Sequence, residues 1–489
     1  MNYTKISKLA GCILLVAATA FTSCKKYINL EPEDATYDQV FWATGANVEK
    51  AVSGAYGLLR NALRNERSHF TFGDLTTNQF LRGGDYWNYE DLSYEGNNHY
   101  SYAPYLEGSL WDWTRFYGLI NQCHLIVENT PKIPDSKFNG GKESKNQLIG
   151  ESHFLRAYSY FYMTRVWGDP VLTKEALKDP LNIQPIARSK ENEVLDYCIE
   201  DLKQASALMQ FNGSGERVHA DKGAALALLA HVYAWKHDYA NVKKYCDSVI
   251  LQGGYSLEPG DSYEQIWNGS SNESIFELFM KYDQGSNEAG SDFFNVFLFH
   301  PIADRDAYYA WPVNEDYAAD LFGTTPDDRI NKIFVQGQGG VMLSKYATIN
   351  HYDANRPDAY VVDNNLVLLR LADIHLLKAE ASLKLNDENG ARDEINIIRQ
   401  RANADLLLPG DACDMETVLN ERRKEMYGEG CIAYDNIRMI LTNPDYANNL
   451  PEPYIPERVA KKGYYWPLNM RTLLPQNQLL TQNEWWKNH

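Results

Sequence analysis

Cysteine is scarce in this 489-residue chain and follows no pairing pattern. There are seven, none in a C-x-x-C and none with histidine at a zinc spacing, which excludes a structural zinc site and a dithiol redox motif of those kinds. A chain of this length needs no disulfide staples to hold a core. Cys123, Cys198 and Cys246 fall on helical patterns and read as small buried apolar residues. Basic clusters are missing too. Lys and Arg number 47 against 65 Asp and Glu, the formal net charge is -18, and no run of five basic residues occurs. Such a surface repels nucleic acid and anionic lipid, so nucleic-acid binding is not expected. H-E-x-x-H, G-x-S-x-G and the Walker A sequence are absent, so no catalytic, cofactor or metal signature stands out. No cofactor or metal is expected, and no catalytic residue is assigned.

The N-terminus is processed-looking. "MNYTKISKLAGCILLVAATAFTSC" opens with Lys5 and Lys8 and continues into an apolar run from Leu9 to Phe21. That run falls short of the roughly 20 residues a spanning helix takes, and its pattern is that of an export signal over residues 1–23. Thr22, Ser23 and Cys24 end it in what looks like a bacterial lipobox, with Cys24 as the lipidation site and new N-terminus. Removal of the signal takes away two lysines and no acid, which makes the mature chain more acidic still. A polar leash over 24–46 follows.

What the chain has in excess is tyrosine, 33 residues of it. The stretch "GGDYWNYEDLSYEGNNHYSYAPYLEGSLWDW" (83–113) holds nine Tyr or Trp, interrupted by Gly, Asn, Ser and Pro. It shows neither strand nor helix periodicity and reads mostly as loop. Trp111 and Trp113, next to a helix, read as core rings; Tyr86, Trp87 and Tyr89, in a Gly-flanked loop, are better candidates for contact with a ligand. A second irregular aromatic stretch covers 281–317, and long loops in a compact protein are usually functional.

Elsewhere the pattern is helical. Helices are expected over 47–65, 111–129, 150–167 (stopped by Gly168-Asp169-Pro170) and 190–210. Segments 224–250 and 368–402 are each helix, polar turn, helix, with Ala230 and Ala240 in the first and Ala381 and Ala391 in the second placed for close approach. This is tetratricopeptide-like, and such pairs must stack to bury their apolar faces. "ERRKEMYGEGCIAYDNIR" offers Glu425 and Asp435 as an acid/base pair, but its density of both charges reads instead as an ion-paired helix end built by Glu421, Arg422, Glu425 and Arg438. Gly428-Glu429-Gly430-Cys431-Ile432-Ala433 matches G-x-G-x-x-A only formally, because a charged helical run precedes it where a dinucleotide site needs a strand.

Taken in order, these pieces resemble the SusD/RagB family of outer-membrane nutrient-binding lipoproteins. The resemblance rests on Cys24 with its leash to Phe41-Trp42, "FLRAYSYFYMTRVWGDPVL" (154–172), "RVHADKGAALALLAHVYAW" (217–235) and Asp328-Arg329. It continues through Lys345-Tyr346, "LRLADIHLLKAEA" (369–381), "ARDEINIIRQRA" (391–402), "ERRKEMYGEG" with "YDNIR", and "YYWPLNMRTLLPQNQLLTQNEWW" near the end. Cys431 and "WPLN" depart from the family's usual residues. The resemblance implies a mostly α SusD-like fold: about four tetratricopeptide-like helix pairs as scaffold with a loop-rich second lobe. An N-terminal region over 47–265 and a RagB/SusD region over 266–489 follow from it. It also implies a surface-exposed lipoprotein of the outer membrane, not an enzyme, that captures glycans for a SusC-like TonB-dependent β-barrel transporter. Capture of peptides is the alternative within the family, and a surface glycoside hydrolase the alternative outside it. In relatives the sugar site comes from the loop after the first helix and the insertion before the last helix pair, here about 73–100 and 281–315. That transfer points to Asp74, Arg82 and Trp87 from the first and Tyr309 and Trp311 from the second, beside Tyr86 and Tyr89.

Overall fold

The computed structural model describes residues 38–81, 108, 110–178, 184–212, 215–281, 291–350, 360–450 and 456–487. Ten helices of ten residues or more lie within them: α1 (Gly45–Arg64), α2 (Thr114–Asn129), α3 (Gly141–Trp167), α4 (Glu191–Leu208), α5 (Lys222–Trp235), α6 (Tyr239–Gln252), α7 (Leu371–Lys384), α8 (Glu388–Arg401), α9 (Met415–Glu425) and α10 (Ile432–Thr442). Each packs on the next from α1 through to α8, and α9 lies against both α7 and α8. The contact between α6 and α7 skips the whole segment 253–370, which therefore stands as a lobe inserted into a continuous helical stack.

The two helical hairpins share one turn device. His237 and Asn386 take left-handed φ values of 58° and 62°. The aspartate that follows each caps the next helix: Asp238 accepts from the Asn241 amide at 3.2 Å and Asp387 from the Gly390 amide at 2.9 Å. Capping satisfies an amide that the helix itself leaves unpaired. α3 begins nine residues earlier than its apolar pattern suggests, and from Leu148 to Trp167 it is buried nearly all round, as is α5. A helix apolar on every side belongs in the middle of a stack. Ala230, Ala381 and Ala391 are fully buried, as close helix packing requires, whereas Ala240, at the second position of α6, is exposed. Cys123, Cys198 and Cys246 are buried and free.

The strands are few. β1 (Ser274–Leu278) pairs antiparallel with β6 (Leu366–Arg370), β2 (Phe334–Gly337) with β3 (Gly340–Leu343), and β4 (Ile349–Asn350) with β5 (Val361–Val362). β6 corrects the expected start of a helix at Leu368. "LVLLR" is a short buried apolar run, which periodicity alone cannot assign, and pairing with β1 decides it. The principal apolar core runs from Val48 to Trp486 through both halves of the chain. The C-terminal aromatics Tyr464, Tyr465, Trp466, Trp485 and Trp486 are all part of it.

Candidate functional site

The loop after α1 and the inserted lobe meet directly. Phe80 and Val313 form an isolated antiparallel bridge. The Leu81 amide donates to the Pro312 carbonyl at 2.9 Å and the Asn314 amide to the Gln79 carbonyl at 2.9 Å. Beneath this seam Phe80, Phe297 and Trp311 pack ring against ring, with centroids 5.2–6.2 Å apart. Most of the aromatic content of 291–314 is spent here: Phe293, Phe294, Phe297, Phe299 and Trp311 are all buried.

Two rings escape. Tyr308 and Tyr309 sit on a 3-10 turn, 54% and 49% exposed, with centroids 5.1 Å apart in an edge-to-face arrangement. Asp306 holds the turn by accepting from the Tyr308 amide at 2.7 Å. A small separate core of Phe299, Ala307, Ala310 and Met342 supports it from below. The β2–β3 turn comes so close that a Cβ on Gly339 would lie 3.1 Å from that of Ala307. Close by in the chain, the partly exposed His300 pairs with the exposed Asp304 at 3.2 Å. Flat rings with polar side chains around them can stack on an apolar face and hydrogen-bond its rim.

The other expected site residues divide. Trp311 is 0% exposed and is a core ring, which corrects its assignment as a platform: a ring packed on both faces has none to offer a ligand. Asp74 is also 0% exposed, which corrects its assignment as a ligand contact. Its carboxylate accepts from the Gly430 amide at 2.6 Å and from Gln79 Nε2 at 3.3 Å. Burial pushes its pKa up to about 7 against those hydrogen bonds. Arg82, Tyr86, Trp87, Tyr89 and Cys24 lie outside the described residues. Tyr309 is exposed, and Tyr308 beside it, which the sequence reading did not single out, is likewise exposed. The doublet in "DAYYAW" was the available signal.

The Gly428-Glu429-Gly430 step turns out to be a structural clasp. Gly428 and Gly430 adopt φ of 67° and 77°, which favour glycine. Gly73 approaches so closely that a Cβ there would meet the Gly430 carbonyl at 2.1 Å. Gln79 Oε1 accepts from the Gly428 amide at 2.8 Å, and the Tyr427 hydroxyl donates to the Gln79 carbonyl. The step therefore fastens the post-α1 loop to the end of α9.

Glu425 and Asp435 are ion-paired, as their surroundings in sequence suggest. Glu425 is fully buried and takes Arg370 at 2.7 Å, Arg329 at 3.1 Å and Arg401. Burial alone would raise its pKa, but Arg401, Arg370, Arg329 and Lys345 outweigh that and hold it well below the usual carboxylate range. Asp435 pairs with Arg422 at 2.8 Å and Arg438 at 2.9 Å, and is likewise held low against burial by those two arginines. A general acid needs the opposite shift and access to substrate.

Comparison with known proteins agrees with this architecture. Residues 26–234 match the family model described as "Starch-binding associating with outer membrane", and residues 261–486 match that described as "SusD family". The SusD-like protein P38 of Formosa agariphila is 25% identical over 96% of this chain and 97% of its own length. A SusD homologue from Bacteroides thetaiotaomicron superposes with a TM-score of 0.74 at 22% identity, over 91% of this chain and 98% of that one. NanU of B. fragilis superposes with a TM-score of 0.71 at 21% identity, over 93% and 99%. With its tetratricopeptide-like stack, its inserted lobe and matches of one kind along nearly its whole length, the chain belongs to the SusD-like family.

Proposed function

We propose that this protein is a cell-surface glycan-binding lipoprotein. Anchored in the outer membrane through acylated Cys24, it captures oligosaccharides or polysaccharide and delivers them to a SusC-like TonB-dependent transporter. The family description of starch binding with outer-membrane association supports the reading. The observation that carries it is the exposed Tyr308–Tyr309 pair on a turn braced from beneath, in the stretch that meets the post-α1 loop at the Phe80–Val313 bridge. Tyrosine offers an apolar face and a polar tip at low side-chain entropy cost, which suits a sugar's C–H face and hydroxyl rim. Trp87 is the loop ring proposed to complete the surface.

Native electrophoresis through gels containing polysaccharides, with an assay for new reducing ends, tests this. Retarded migration without cleavage is the expected result. New reducing ends would establish a glycoside hydrolase instead, and neither effect would favour the peptide-capturing alternative. Cys24→Ala should release the protein from membranes prepared without the transporter, since stable attachment takes more than one acyl chain's worth of anchor. Retention of that variant would refute the lipid anchor while leaving glycan binding standing.

A further inference from the structure

Behind the Gly428-Glu429-Gly430 clasp lies a cavity of about 50 Å³, between α3, β6 and the start of α10. Its wall carries two acids, both committed. Asp373 takes Arg422 at 2.8 Å and His231 at 2.7 Å, and Glu429 takes Lys345 at 2.5 Å and Arg370 at 2.7 Å. Arg165 differs from every cation in those pairs. Its guanidinium sits 4.3 Å from the ring centroids of Phe161 and Tyr434. Among the described residues it makes no hydrogen bond or ion pair, and its Nε is buried. Its Nη atoms keep some access to solvent, and cation–π contact offsets only part of the cost of desolvating the buried Nε. The hydroxyls of Tyr162 and Tyr434, on side chains more than nine-tenths buried, approach each other, and that of Tyr162 also approaches Ser68, but none of these contacts has hydrogen-bond geometry. Burial raises both phenol pKa values, so both remain donors.

We propose that this cavity is a binding site for a small inorganic monoanion of chloride size, held by the Arg165 guanidinium and the Tyr162 and Tyr434 hydroxyls. One uncompensated positive charge calls for one negative charge. The volume, at about 10–15 Å³ per water on the same measure, admits an ion with a few waters and excludes a sugar acid. His69 fits this arrangement. Its Nε2 faces the Glu429 carbonyl at 3.0 Å and must donate to it, which leaves Nδ1 as an acceptor with no partner among the described residues. A water that donates once to Nδ1 and once to the anion satisfies both. Arg165, His231, Leu368 and Cys431 keep some exposure, which gives the ion an entry path.

Bromide is the probe. Crystals of the full chain soaked in sodium bromide should show an anomalous peak beside Arg165. The melting temperature of the detergent-purified protein should rise with the logarithm of bromide concentration at constant ionic strength, with gluconate, too large for the cavity, as the balancing anion. Arg165→Met should lose both effects. Should that variant not fold, Tyr434→Phe keeps the ring over the guanidinium, removes one donor and should weaken bromide about tenfold, the worth of one hydrogen bond to a charge. No anomalous peak in the cavity, equal melting in bromide and gluconate, or unchanged bromide affinity in Tyr434→Phe would each overturn the proposal.

Discussion

Asn314 donates a 2.7 Å side-chain hydrogen bond to Asn78, 236 positions earlier in the chain. It also caps the helix Glu315–Phe322 by accepting from the Tyr317 amide at 3.2 Å. One residue thus ties the post-α1 loop to the inserted lobe and fixes the start of a helix within that lobe. Sites of this kind are precise because they rest on such supports, even when the contacting residues are on loops.

The exposed and buried rings on this lobe should separate in mutagenesis. Tyr308→Ala and Tyr309→Ala remove apolar contact worth on the order of 1–3 kcal/mol, a tenfold to hundredfold loss in affinity. The melting temperature should hold. Short oligosaccharides are the ligands to use, because a long polymer re-engages a weakened site. Trp311→Ala should instead lower stability by about 3–5 kcal/mol through the cavity it leaves, read by chemical denaturation. Unchanged affinity in both tyrosine variants would move the site off this turn.

Small residues in the helical hairpins should respond according to burial. Ala381→Leu adds volume where α7 is fully buried and should cost roughly 1–3 kcal/mol. Ala240→Leu, on an exposed position, should stay within about 0.5 kcal/mol of the parent. Denaturant midpoints of the two variants check the contrast, and glycan affinity per folded molecule should not change in either.

Glu425 is the hub of the buried charge network. Glu425→Gln leaves Arg329, Arg370 and Arg401 facing one another with a counter-charge removed. Breaking a buried pair from one side typically costs about 3–5 kcal/mol, so a loss at least that large is expected on denaturation. If Glu425 were a catalytic acid, the variant would keep its stability and lose a hydrolytic activity.

Asp74 should give the stability a distinct pH dependence. Its folded pKa, about 7, lies above the roughly 3.9 of an unfolded aspartate. Between those values the folded chain binds more protons than the unfolded one. This group's contribution is therefore complete below about pH 4 and falls away as pH rises to 7. His69 acts in the opposite sense: burial, and secondarily the Arg165 charge, lower its pKa to about 4, against the donated bond to the Glu429 carbonyl. The difference between parent and Asp74→Asn isolates the aspartate. Melting temperatures over pH 4–7 should fall more steeply with pH in the parent than in the variant, and parallel curves would refute the assignment.

The sequence by itself determined the helices and the scaffold. Apolar spacing in 190–210, the Gly168-Asp169-Pro170 stop and the helix–polar turn–helix pattern of the hairpins are local signals, so α4, the end of α3 and both hairpins were readable. The mixed charges around Glu425 were also legible as ion pairs, because acids and bases alternate along one helix end. Tertiary structure alone decided which aromatic rings face out. "DAYYAW" places Tyr308, Tyr309 and Trp311 within four positions, and nothing in their spacing separates the exposed doublet from the buried tryptophan. Phe80, from a distant segment, and Phe297, from the same stretch, make that choice by covering Trp311. Asp74 was misread for the same reason: its partner, the Gly430 amide, lies 356 positions away. Leu368 to Arg370 join a strand because β1 lies beside them. Burial is a property of the neighbours a residue acquires on folding, and those neighbours come from parts of the chain that local pattern does not connect.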